Sequence, residues 1–182
     1  MTVNIKSTAV TVDFWFAAVL VFLLLFFPNG NAALCFLFCV LHELGHLAAL
    51  IALESVPAEI KLGFFGMRIV TGGRLLSTAG EIIAAAAGPA VNFLLAAVLY
   101  CMNQNEAAII NLGLGIFNLL PVSMLDGGHI ALCLHKNIKA AKSADFICCF
   151  LLLLTGMAVA VCTRRNFTVL TVALYLTVGC LA

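Results

Sequence analysis

Long apolar stretches alternate along this chain with short connections that hold most of its polar residues. A helix needs about 20 apolar residues to cross a bilayer, and most of the stretches approach that length. The pattern therefore predicts an all-α membrane protein with about six transmembrane helices. The six stretches are residues 14–27, 32–53, 82–102, 107–125 and onward, 146–163 and 166–181.

The longest connection, residues 54–80, differs from the others because apolar and polar residues nearly alternate around several glycines. Such alternation is typical of strands, so we predict a short β-hairpin at the membrane surface between the second and third spans. An amphipathic loop at the interface is an equally good interpretation of the same pattern. Residues 3–12 show a weaker strand-like pattern.

Basic residues in the connections predict the topology of the spans. Lysines and arginines precede the first stretch, follow the second and follow the fourth, which places both termini in the cytoplasm. Arg164 and Arg165 break this alternation, so either the last two stretches form a shallow hairpin or these side chains reach up to the membrane surface. A cleaved signal peptide over residues 14–27 is an alternative to the first span, although no polar segment separates it from the next apolar stretch.

Composition excludes an ordinary soluble domain. Of the 182 residues 64% are apolar and 9% are charged, whereas about 25% of a soluble domain is charged. A net charge of +1 gives no basic surface for nucleic acid. We expect one integral membrane domain over residues 1–182, with its core at 32–128 and no appended soluble regulatory domain. The eight cysteines lie almost entirely in apolar runs, which favours packing roles over disulfides.

Two acidic residues lie where acids are costly. Of the 17 charged residues, only Glu43 and Asp126 fall inside apolar stretches. An ionisable group at bilayer depth costs at least a few kcal/mol on insertion scales, so it indicates a functional site. The residues around each of the two acids indicate what this site does.

His42, Glu43 and His46 form an HExxH motif near the middle of the second stretch. At about 100° per residue, the two histidines lie about 40° apart on one helix face, one turn apart. Both imidazoles can therefore bind one metal ion while the carboxylate lies beside it, which is the arrangement of zinc hydrolases. The alternative is a pair of histidines between helices with a buried carboxylate, which is costly in lipid.

Two histidines and a water molecule leave one zinc ligand to be supplied, and Asp126 is the candidate. It follows Pro121 and precedes Gly127 and Gly128, which interrupt an otherwise apolar stretch. Broken helices are tolerated at membrane depth where they line a cavity. Alternatively, the helix simply ends at Gly127 and leaves the aspartate at the surface.

Three motifs together resemble the site-2 protease family of intramembrane zinc metalloproteases. They are HELGH at residues 42–46, AGPAVN at 87–92, and the segment 118–128 with its LDGG ending, and they occur in the family's order. One departure is local, since Pro121 is followed by Val-Ser-Met where relatives often have Pro-x-Pro before Leu-Asp-Gly. The amino-terminal strand, the early span and the hairpin-like connection look most like the sporulation-type branch.

The resemblance implies that His42, His46 and Asp126 hold one zinc ion per chain and that Glu43 activates a water molecule. The implied substrate is a transmembrane or membrane-tethered protein, in the sporulation-type branch a tethered sigma-factor precursor in the bacterial plasma membrane. A membrane regulator is a further implied partner. Four further residues are predicted to contact the substrate: Asn92, Asn118, Gly127 and Gly128. For the two asparagines, hydrogen bonding between helices is an equal alternative.

Two other functions remain to be separated from proteolysis. A membrane metal-ion transporter also places histidines and acids in membrane helices, but it would spread them along a transit path. A membrane scaffold without activity would have no need of Glu43. His129 as a further ligand and Cys35 and Cys39 as thiolate ligands are less favoured than a surface histidine and two packing residues.

Overall fold

The computed structural model describes most of the chain and divides it into two compact units, Met1–Gly115 and Ile116–Ala182. The described residues are 2–5, 8–12, 31–55, 57–63, 66–71, 76–135 and 138–163, with 174 and 177. The predicted spans at 14–27 and 166–181 fall outside them, apart from these last two positions. A single domain over residues 1–182, with its core at 32–128, and six transmembrane helices therefore stay predictions.

The first unit contains two long apolar helices, α1 (Asn31–Ala52) and α2 (Thr78–Cys101). Over Ala33–Ala52 and Thr78–Cys101 both are long and apolar enough to cross a membrane. They pack closely because Gly45 of α1 has no side chain: a Cβ there would lie 2.9 Å from the Ala87 carbonyl oxygen of α2. This close approach brings the middle of α2 against the HExxH motif.

Helix α2 begins four residues before its apolar stretch because polar groups stabilise its first turn. The side chain of Ser77 accepts a hydrogen bond from the backbone N–H of Gly80 at 3.2 Å, which caps the helix. Glu81 lies in the same turn, where the helix dipole favours a negative charge. Helix α3 (Asn105–Asn118) follows, and its residues from Ile116 onward belong to the second unit.

Strands of the first unit form one small sheet in addition to the helices. Among the described residues its order is β1 (Thr2–Ile5), β2 (Thr8–Val12), β3 (Pro57–Gly63) and β4 (Gly66–Thr71). β1–β2 and β3–β4 are antiparallel, whereas β2 and β3 are parallel. The β3–β4 pair lies where the alternation predicts a hairpin; its position at a membrane surface stays a prediction.

The second unit is built around an interruption in the fourth apolar stretch. Residues 119–125 form no regular helix and separate α3 from α4 (Asp126–His135), and α5 (Ile138–Thr163) follows. The fully buried Val122 packs with Cys149 of α5 and the apolar residues around them. The Asp145 carboxylate accepts a hydrogen bond of 2.6 Å from the backbone N–H of Ser123, which ties the interruption to α5.

Candidate metal centre

The two histidines of the HExxH motif meet on one face of α1. Their Nε2 atoms lie 3.1 Å apart, and their rings stand edge to face with centroids 4.8 Å apart. His42 is buried, with 6% of its surface exposed, and His46 is half-buried. The helical spacing thus produces the pair of neighbouring imidazole nitrogens that the sequence predicts.

Helix α2 supplies a partner for the outer nitrogen of each ring. His46 Nδ1–H donates to the carbonyl oxygen of Ala84 at 2.8 Å, and the amide of Asn92 lies 3.2 Å from His42 Nδ1. Histidines that bind a metal usually donate their other ring N–H to such a partner, as His46 does here, whereas at His42 the amide nitrogen of Asn92 faces Nδ1. Both Nε2 atoms are thereby turned towards the same point.

The histidine pair fits a zinc ion by its separation as well as by its chemistry. Two ligand nitrogens at about 2.0–2.1 Å from zinc in a tetrahedral site are about 3.3 Å apart, and the observed separation is 3.1 Å. Gly88 leaves the space beside them open: a Cβ there would overlap His46 Nε2 and would lie 2.7 Å from His42 Cε1. The donor set and the space around it therefore suit the predicted metal.

Glu43 lies in α1 between the two histidines in sequence and is half-buried. At about 100° per residue its side chain leaves the helix on the face next to His42. Its catalytic role beside the histidine pair stays a prediction.

Asp126 is the first residue of α4 and belongs to the second unit. It is half-buried, so it does not lie exposed at the surface as a simple helix ending would leave it. The turn before it is fixed by a hydrogen bond of 2.8 Å from Leu125 N–H to the Val122 carbonyl oxygen. Its role as the third zinc ligand stays a prediction.

Gly127 and Gly128 have a packing role that the sequence does not reveal. Both are buried in the first turn of α4, where a Cβ would overlap the carbonyl oxygens of Leu119 and Val122, respectively. Because these are backbone atoms, no side-chain movement relieves the overlap. The two glycines therefore let the interrupted segment fold back on α4, and their contact with a substrate stays a prediction.

The remaining candidates differ in exposure. Asn92 is fully buried against His42, so it presents no surface to a substrate in this structure. Asn118 ends α3 and is half-buried, and its substrate contact stays a prediction. His129 is exposed, in agreement with a surface histidine, and Cys39 is exposed on α1.

Sequence reasoning missed the Ala84 carbonyl and the Asp145–Ser123 hydrogen bond. A backbone carbonyl has no residue-type signal, and the aspartate lies 22 residues from its partner. Gly88 falls within the AGPAVN motif, but only the structure shows that its missing side chain makes room for the imidazoles.

We expect Gly88→Ala to weaken zinc binding by at least about 10-fold, because the new methyl group displaces the His46 ring from its place. Zinc content and affinity of the purified variant test this. The matched control is Gly113→Ala in α3, where a Cβ meets no atom within 4 Å. Equal zinc affinity in both variants would contradict the arrangement described.

The chain is similar to known proteins in one stretch of its sequence and in its fold. Residues 104–161, which include Asp126 and both following glycines, match the model of peptidase family M50. The site-2 protease from Methanocaldococcus jannaschii has a similar structure, with a TM-score of 0.71 over 99% of this chain and 93% of that chain, at 24% sequence identity. No curated protein matches the chain significantly in sequence. The chain thus matches peptidase family M50 over one stretch of its sequence and shares the fold of a site-2 protease.

Proposed function

We propose that this protein is a zinc-dependent endopeptidase that cleaves its substrate within the membrane. The observation that carries the proposal is the pair of Nε2 atoms 3.1 Å apart on an apolar helix, where Glu43 follows His42 in sequence. His42, His46 and Asp126 are the proposed ligands of one zinc ion per chain, and Glu43 is the proposed general base.

The surroundings of the histidine pair support a site at membrane depth. His42 lies about 16 Å along α1 from its first residue at a rise of about 1.5 Å per residue, close to the middle of a span. Both apolar helices expose large side chains, for example Leu44 at 48% and Leu94 at 65%. Such surfaces suit contact with lipid, and the burial of His42 directs the polar groups to the interior.

The proposed reaction is the hydrolysis of a peptide bond. When bound, zinc polarises the scissile carbonyl and activates a water molecule. Glu43 takes a proton from the attacking water as its oxygen adds to the carbonyl carbon, and gives the proton to the nitrogen as the C–N bond breaks. Ala84 and Asn92 hold the two imidazoles in place throughout.

A helical substrate has its backbone hydrogen bonds satisfied, so it must unwind before hydrolysis. Strand β4 lies at one edge of the sheet in the described part of the chain. An edge strand offers backbone N–H and C=O groups to an extended peptide, and strand addition there is the proposed mode of substrate binding. A strand-like segment next to a transmembrane span is therefore the expected feature of a substrate.

We further propose a multi-pass protein of a bacterial plasma membrane, with both termini in the cytoplasm and a membrane-embedded or membrane-tethered protein as its substrate. Regulated cleavage of a tethered sigma-factor precursor, with a membrane regulator as partner, is the form that the sporulation-type resemblance suggests. The basic residues of the connections support the orientation.

Removal of zinc by a chelator is expected to abolish cleavage of a single-span protein substrate in liposomes, and added zinc is expected to restore it. Cleavage is followed by the size and mass of the products. A protein stripped of metal that still cleaves at full rate would contradict the proposal. Zinc uptake into the liposomes without any cleavage would favour a metal transporter instead.

A further inference from the structure

Asn92 contacts the ring nitrogen of His42 that faces away from His46. It is fully buried in α2, and its Nδ2 atom lies 3.2 Å from His42 Nδ1. Its other amide atom, Oδ1, is buried as well and has no hydrogen-bond partner within the described part of the chain. Asn111 Oδ1 shares this property among the described residues, but only the Asn92 amide contacts a histidine ring.

The hydrogen bonds at the histidine pair run in one direction. Asn92 Nδ2–H donates to His42 Nδ1, which leaves the His42 proton on Nε2. That proton is donated to His46 Nε2 at 3.1 Å, and His46 Nδ1–H donates to the Ala84 carbonyl oxygen at 2.8 Å. Each of these three contacts thus has a defined donor and acceptor.

A zinc ion requires the lone pair of both Nε2 atoms, which changes the role of Asn92. The His42 proton must then sit on Nδ1, and this N–H needs an acceptor at the position of Asn92 Nδ2. A half-turn of the amide exchanges Nδ2 with Oδ1 without displacing the backbone. An amide can donate in one orientation and accept in the other, whereas an apolar side chain can do neither.

We infer that Asn92 is a positioning residue that exchanges its amide donor for its acceptor and so gives His42 the tautomer that binds zinc. This inference rests on the proposed zinc site and deepens it. The buried, unsatisfied Oδ1 is the acceptor that the zinc-bound tautomer uses. Asn92 acts through His42 and has no contact with the substrate in this role.

Three variants test the inference through zinc affinity, measured by competition with a chelator. In Asn92→Leu no acceptor remains, and we expect the dissociation constant for zinc to rise about 10–100-fold. In Asn92→Asp the carboxylate accepts from Nδ1–H, and we expect the affinity to stay near that of the unaltered chain. Asn111→Leu is the matched control, because Asn111 is equally buried but donates to Ala107 of its own helix at 3.1 Å.

Equal zinc affinity of Asn92→Leu and the unaltered chain would overturn the inference, and so would a loss of zinc in Asn92→Asp. If Asn92→Leu fails to fold, nitrogen NMR of the unaltered chain decides. Zinc-loaded protein is expected to carry the His42 proton on Nδ1, and a proton on Nε2 would overturn the inference. An unaltered chain that binds no zinc would instead contradict the proposed function itself.

Discussion

The Glu43→Gln variant is expected to bind zinc as the unaltered chain does and to cleave its substrate about 10²–10⁴ times more slowly, the usual contribution of a positioned general base. Glutamine has the size and shape of glutamate but cannot take a proton from water. Because Glu43 is not one of the proposed ligands, the histidine pair keeps its geometry. The expected result is thus a separation of metal binding from hydrolysis.

Two measurements on the same preparation check this expectation. Zinc content is determined after purification, and cleavage of a single-span substrate in liposomes is followed by mass spectrometry. Glu54→Gln is the matched control, since Glu54 is exposed just beyond the end of α1. It is expected to keep both zinc and activity.

Two other outcomes would give Glu43 a different role. Full activity in Glu43→Gln would show that another group accepts the proton. Loss of zinc would show that Glu43 holds the metal and that the ligand set is wrong. Capture of an uncleaved membrane protein by the inactive variant would in addition identify a natural substrate.

The long helices are the part of the fold that the sequence predicts best. Helices α1 and α2 each end one residue before the end of the corresponding apolar stretch, 32–53 and 82–102. The disagreement lies in polar first turns: α2 begins at Thr78, and α5 begins at Ile138 instead of residue 146. Hydropathy does not detect the first turn of α2 because capping and charge, rather than apolar burial, stabilise it.

Contacts between distant parts of the chain are what the sequence does not predict. The β3–β4 pair is local and has an alternating pattern, whereas β2 and β3 pair in parallel across roughly 50 residues. The amide of Asn92 likewise reaches His42 from 50 residues away. No periodicity encodes these pairings, because periodicity describes only local structure. The contact of Asn92 with His42 depends on how α1 and α2 pack at Gly45.

The candidate site also has one part that the sequence predicts and another that it does not. Helical geometry alone brings His42 and His46 together, because residues four apart share a face. The parts that orient them come from another helix. The Ala84 carbonyl carries no residue pattern, and Gly88 lies in a motif that does not by itself reveal its role. The histidine pair is thus predictable from spacing, whereas the groups that support it require the structure.

Asp126→Asn is expected to lower zinc affinity by at least about 100-fold and to abolish cleavage. Zinc sites gain roughly 10–16 kcal/mol from about four ligands, so one ligand contributes several kcal/mol. A neutral amide is a poor substitute for a carboxylate, although it has nearly the same size. X-ray absorption of the zinc-loaded, unaltered chain is expected to show two imidazole nitrogens with oxygen ligands.

The control for this substitution lies in the same unit and uses the same chemistry. Asp145→Asn keeps a carbonyl oxygen to accept the hydrogen bond from Ser123 N–H, so the segment before α4 stays tied to α5. Zinc and activity are therefore expected to survive in Asp145→Asn. If Asp126→Asn also keeps both, the third ligand lies elsewhere, and the two histidines must share the metal with a group other than this aspartate.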